Sequence, residues 1–156
     1  MRNAFALALI AGLIWAIPCA RALPQEPVAD GVQLNIHQKL SIAENQHEIA
    51  VLLIKEGRYE QVLPEMQKIL DLDLQGEYEE LVAKSAGYIA HLLTQERQYE
   101  SAHQLLDETL ARMQLGANAA SLLKIKAYVY KSEGNLEKAI ETLGRAVEIE
   151  RQGAYP

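Results

Sequence analysis

The chain of 156 residues has one cysteine, Cys19, one tryptophan and one phenylalanine. A single thiol cannot close an internal disulfide, complete a cysteine zinc site or anchor a haem covalently. Basic side chains are in the minority, 15 against 21 acidic ones, for a formal net charge of −6, which disfavours a nucleic-acid partner. His37, His47, His91 and His103 show neither a His-x3-His nor a His-Glu-x2-His spacing. There is no glycine-rich phosphate loop and no Gly-x-Ser-x-Gly turn for a nucleophile. The acidic pairs Glu79-Glu80 and Asp107-Glu108 fall on predicted helix surfaces, where solvated charge is the ordinary explanation. No catalytic residue, no metal ligand and no cofactor is therefore assigned, and the chain reads as a non-enzyme.

Long apolar runs are also scarce, with one exception at the start. Residues 4–17 are an uninterrupted apolar run of 14, preceded by Arg2 and followed by the small-x-small sequence Ala20-Arg21-Ala22. This is the build of a secretory signal peptide over residues 1–22, and 14 residues are short for a bilayer span. The alternative is an uncleaved membrane anchor. Pro18 directly before Cys19 is unlike a lipidation site, and no twin-arginine pair is present. Cleavage after Ala22 would leave a thiol-free chain of 134 residues with 13 basic and 21 acidic side chains, a net charge of −8. Export implies a periplasmic or secreted location. Residues 23–34, with two prolines and a glycine before any helical period, read as a flexible tether.

What remains, residues 35–153, reads as one helical domain. Apolar and small residues recur at helical spacing from Ile36 through Leu40, Ala43, His47 and Ala50 to Val51 or Leu53, predicting a first helix from near Asn35 to Glu56. The clearest pattern lies at residues 122–150. There Leu123, Lys126, Ala127 and Tyr130 are followed by Gly134-Asn135, then Ala139, Leu143 and Ala146. Two amphipathic helices joined at a glycine turn satisfy it, with Ala127 and Ala139 where the backbones approach and Asn135 as cap of the second helix.

The same offsets recur upstream. Ala50 and Val62, Ala90 and Ala102, and Ala127 and Ala139 are each 12 residues apart. Gly57, Arg97 and Gly134 stand seven residues beyond the first small position, then Tyr59, Tyr99 and Leu136, then Met66, Leu106 and Leu143. Three copies, about residues 43–74, 83–114 and 120–151, follow one another at spacings of 40 and 37 residues. Because the offsets within each copy are constant, the additional residues belong to the connections at 72–79 and 115–119.

The pattern resembles the tetratricopeptide repeat, whose period is about 34 residues. That resemblance implies an all-α fold, a right-handed superhelical stack of about three antiparallel helix pairs. This chain departs from the family pattern in several places. Gln46 and Ala86 stand where a large first residue is usual, Lys126 replaces an apolar residue, Arg97 replaces the turn glycine, and no copy ends in proline. Pro64, about one turn into the second helix of copy one, predicts that this helix starts late or bends.

In proteins of this kind the first helices of successive repeats line a groove that holds a peptide. Carried over residue by residue, the groove would comprise Glu44, His47, Glu48, Val51 and Lys55, then Lys84, Tyr88, His91 and Gln95, then Ser121, Lys124, Tyr128 and Lys131. Four lysines against two glutamates give this set a local charge of +2, which suits a protein or peptide partner with acidic side chains or a free C-terminus. The alternative is that the lysines are solvated surface and the tyrosines pack within the array. The lysine and asparagine clamp of the family's cytosolic cochaperones is not reproduced, since His47, Val51, Tyr88 and Ser121 occupy the places expected for its polar residues.

The leading functional expectation is thus a non-enzymatic interaction module or scaffold outside the cytoplasm. A second is an accessory subunit of an envelope enzyme complex, with His47 and His91 helping to hold a metal or haem. A third is a self-associating structural protein. Few residues follow the last repeat, and Ile140, Leu143, Val147 and Ile149 form an apolar face there. Either this face packs wholly on the preceding helix, or it is a docking edge for a second copy or a partner.

Overall fold

The computed structural model describes residues 34–153. The signal-like segment 1–22 and the tether up to residue 33 lie outside the described residues. Six α-helices and no strands are present among those described: α1 (Ile36–Lys55), α2 (Val62–Leu70), α3 (Glu79–Gln95), α4 (Tyr99–Arg112), α5 (Ala117–Glu133) and α6 (Leu136–Gly153). Consecutive helices pair as α1–α2, α3–α4 and α5–α6, and α3 also packs on α1 and α5. The all-helical hairpin array expected from the spacing is what forms.

The turns explain why. In each hairpin the seventh residue after the small position adopts a left-handed backbone: Gly57 at φ 73°, Arg97 at φ 59° and Gly134 at φ 91°. The next amide then reaches back five residues, Arg58 to the Leu53 carbonyl (2.9 Å), Gln98 to Leu93 (2.8 Å) and Asn135 to Tyr130 (2.8 Å). The left-handed residue itself donates to Ile54, Thr94 and Lys131 respectively, at 3.0, 3.0 and 3.1 Å. This pair of bonds is the Schellman motif, which satisfies carbonyls left over at a helix end. Glycine enters that conformation without steric cost, whereas Arg97 carries a Cβ into it. Asn135 then accepts from the Lys138 amide (3.2 Å) and caps α6.

Local sequence also fixes the other ends. Asn35 caps α1 in a reciprocal box: the Gln38 amide donates to its side chain (2.9 Å), and the Asn35 amide donates to the Gln38 side chain (3.0 Å). In copy one, Tyr59–Gln61 form a single 3-10 turn and α2 begins only at Val62. Pro64 is then its third residue, where the missing N–H had no helical partner anyway, so the helix starts late instead of bending.

Ala50, Val62, Ala90 and Ala102 have no exposed surface, and Ala127 and Ala139 are buried. Around these close contacts sit Met66, Ile69, Ile89, Leu93, Leu105, Leu106 and Leu122, all fully buried. Each such side chain contributes about 1.5–3 kcal/mol of burial. Two departures from the repeat pattern acquire a physical meaning here. Lys126, only 11% exposed, reaches across from α5 to pair with Asp107 of α4. Gln46 pushes its side-chain oxygen into the interior, where it finds no hydrogen-bond partner.

The last helix differs from the rest. Its buried residues are Ala139, Thr142 and Ala146, all small, so α6 lies close against α5. Ile149 is half-buried, but the expected face does not pack wholly on the preceding helix: Ile140 is 72% exposed, Leu143 45% and Val147 42%.

Candidate functional site

The first helices of the three hairpins, α1, α3 and α5, run side by side, and their shared surface carries most of the residues expected to line a groove. Glu44, Glu48, Lys55, Lys84, Tyr88, Gln95, Ser121, Lys124, Tyr128 and Lys131 are exposed there or close by, and His47 and His91 are half-buried. Val51 is a correction. It is 6% exposed and belongs to the core cluster, because the helix turns it inward with Ala50 and Ile54, so it offers a partner no surface.

Ring contacts tie neighbouring repeats along this surface. His47 of α1 lies against Tyr88 of α3 with ring centroids 5.7 Å apart, and its Nδ1 is 2.8 Å from the Ser85 hydroxyl. His91 of α3 lies against Tyr128 of α5 at 5.2 Å, with the Gln95 amide nitrogen 3.3 Å from its Nε2. Such tilted pairs hold the rings in place while leaving a face to solvent. The histidines thus serve as inter-repeat spacers. Among the described residues, no three His, Cys, Asp or Glu side chains come together as a metal-binding group.

The surface is not uniform along the array. Between α1 and α3 a crevice of about 530 Å³ is walled by Ala43, Glu44 and His47 on one side and Leu81, Lys84, Ser85 and Tyr88 on the other, with Ile69, Tyr78 and Glu80 around it. A second crevice of about 380 Å³ lies further along the same pair of helices, between Ile54, Lys55 and Glu56 and Leu92, Gln95 and Glu96. Tyr88, half exposed, borders both. Leu81, 38% exposed, was not anticipated from the sequence. It stands at i, i+3, i+4 and i+7 spacing with Lys84, Ser85 and Tyr88, a stripe the helical period does contain.

The charges are less one-sided than the sequence suggests. Lys84 pairs with Glu80 at 2.6 Å, one turn upstream, and Lys124 pairs with Glu150 of α6. The hydrogen bond and charge of Lys84 hold the Glu80 carboxyl below its ordinary pKa, so Glu80 is anionic at neutral pH. Counting these two glutamates, the expected surplus of +2 vanishes. Lys55 and Lys131 make no ion pair among the described residues, and Glu44 and Glu48 balance them.

At the far end of the same seams, two tyrosines tie repeats together. The Tyr59 hydroxyl donates to the Glu96 carboxylate (3.1 Å), and the Tyr99 hydroxyl donates to the Ser132 carbonyl (3.2 Å). Partial burial, reinforced by Glu96, raises the Tyr59 phenol above its usual pKa, so it remains a donor at neutral pH. No described helix is long and apolar enough to cross a membrane.

Residues 122–152 match the family model of the tetratricopeptide repeat. No curated protein and no solved structure matches the chain. The match falls on α5 and α6, the hairpin whose turn and cap keep both Gly134 and Asn135. The two preceding hairpins are closed by the same turn motif, so all three are built alike, and residues 122–152 are the part that is similar to the tetratricopeptide-repeat family.

Proposed function

We propose that this protein is an exported, non-enzymatic interaction module that holds a segment of a partner protein against the α1–α3 face. The observation that carries this reading is Tyr88, a half-exposed aromatic standing between two crevices. An amphipathic ring fixed on a rigid helix gives contact area at low entropic cost, and flanking hollows accept side chains to either side of it. The apolar wall, Ala43, Leu81 and Tyr88, favours aliphatic or aromatic residues in the partner. The acidic preference expected from the lysines is not retained, because Glu80 and Glu150 offset two of them. Residues 1–22 support export through their charge, apolar length and small-x-small ending.

A photoreactive residue in place of Tyr88, expressed in the native host, tests the groove. One dominant adduct that disappears when Leu81→Glu is added supports it. An adduct obtained only from Val147 moves the function to the end of the array and sinks the groove reading. Mass spectrometry of the same purified protein tests export separately: an N-terminus at Leu23 supports it, and an intact Met1 refutes it.

A further inference from the structure

We propose that copies of this chain join end to end, α6 of one copy receiving α1 of the next, so that the repeat array continues from molecule to molecule. This does not depend on the groove. It follows from comparing each end of the array with the internal joint that has the same register.

Inside the chain, the second helix of one hairpin receives the first helix of the next. On α4 the receiving stripe is Tyr99, His103, Leu106 and Leu110. Tyr99 bonds to α5, the His103 ring lies 4.1 Å from that of Tyr130, Asp107 pairs with Lys126, and Leu106 has no exposed surface. Moving forward by the repeat spacing of 37 residues gives Leu136, Ile140, Leu143 and Val147 on α6. These are 61%, 72%, 45% and 42% exposed.

The complementary half of the joint lies on the first helices. α5 carries Leu122, Lys126, Val129 and Glu133 at helical spacing, with Lys126 meeting Asp107 and Glu133 meeting His103 of α4. The corresponding set on α3 is Ser85, Ile89, Leu92 and Glu96, with Ser85 meeting His47 and Glu96 meeting Tyr59 of the preceding repeat. The same register on α1 is Asn45, Ile49, Leu52 and Glu56. Ile89, Leu122 and Val129 have no exposed surface, whereas Ile49 is 41% exposed and Leu52 48%. The two bare patches are therefore the two halves of one joint that is closed twice within the chain.

The chemistry of the ends points the same way. Terminal faces of a solenoid that remain in water are expected to be more polar than its internal joints. Here the ends are no more polar than an internal joint: α1 repeats the register of α3, with Asn45, Ile49, Leu52 and Glu56 for Ser85, Ile89, Leu92 and Glu96, and both ends are less polar than the α4–α5 joint. Asp107 and Lys126 of the α4–α5 joint correspond to Gly144 and Ile49, and Tyr99 and His103 to Leu136 and Ile140. A Cβ at Gly144 would meet nothing within 4 Å, leaving room for a close approach. Continuity with the internal joints selects a second copy as the occupant, since α1 already carries the matching face. A head-to-tail joint of this kind propagates into an open filament or closes into a ring.

The test is light scattering of the purified protein over a range of concentrations, with two variants at exposed positions, Ile49→Glu and Ile140→Glu. Unchanged helical circular dichroism shows that both remain folded. End-to-end joining predicts that the wild type grows past a dimer and that each variant alone is a monomer. Mixed, the two variants form a complex of one copy of each and grow no further, because each supplies the face the other lacks. The proposal is overturned if the wild type is monomeric throughout. It is also overturned if the wild type stops at a dimer that Ile49→Glu still forms, which would mean α6 pairs with α6. A mixture of the variants that stays monomeric overturns it as well.

Discussion

The second helix of the middle hairpin and that of the last hairpin carry their large apolar residues at the same places, yet one set is inside and the other outside. Leu106 of α4 has no exposed surface, and Leu143 of α6, at the same step of the repeat, is 45% exposed. The amphipathic pattern of a helix therefore records where a neighbour is meant to sit, not whether one is present. Beyond its hairpin partner α3, α4 has α5 packed on it, and the described residues contain no equivalent of α5 beyond α6.

The sharpest way to break this comparison is to truncate both residues. Leu106→Ala should cost about 3 kcal/mol, as a filled interior becomes a cavity, while Leu143→Ala in dilute protein should cost under about 1 kcal/mol. Denaturant midpoints decide the matter, and equal losses would mean that α6 is covered in solution. The next effect is a gain. Gln46→Leu places an apolar residue where copy three has Leu123 and removes an unpartnered buried oxygen, and should stabilise by about 1 kcal/mol.

Arg97→Gly tests whether the middle turn is held by the same geometry as its neighbours. It relieves a left-handed backbone at φ 59° but loosens the unfolded chain, for a net gain of roughly 0.5 kcal/mol in thermal or denaturant unfolding. A loss would mean that the arginine side chain is needed there. The smallest effect concerns the polar contact that distinguishes the internal joint from the ends. Lys126→Met should change the unfolding free energy by less than about 0.5 kcal/mol, because Asp107, left behind at 59% exposure, stays hydrated.

The spacing of small residues located all three hairpins, including the turn at Arg97, where the residue itself argues against a turn. That is because the backbone offset between Ala90 and Ala102 survives even though the glycine does not. The site was less legible. Val51 is one residue from Ala50, and a step of one rotates a side chain by about 100° around a helix, enough to carry it from the groove to the core. Leu81 and Ser85 were missed because the groove positions were carried over from a family pattern that does not include them. Of the two glutamates that cancel the lysine surplus, Glu80 was readable as an i, i+4 neighbour of Lys84. Glu150 was not, since it meets Lys124 only after the chain has turned back through Gly134.

The tyrosine ties have a mechanical consequence. Tyr59–Glu96 and Tyr99–Ser132 both fasten the seams at the C-terminal ends of α3 and α5, while the 530 Å³ crevice opens between the N-terminal halves of α1 and α3. The C-terminal end holds its own, smaller hollow of about 380 Å³, and the larger one is bridged by His47 and Ser85, so each crevice has one polar tie across it and Tyr88 stands between the two. A segment gripped at Tyr88 therefore loads both ties at once, and spin-label distances should narrow between positions 44 and 84 and between positions 56 and 95 together when a partner binds.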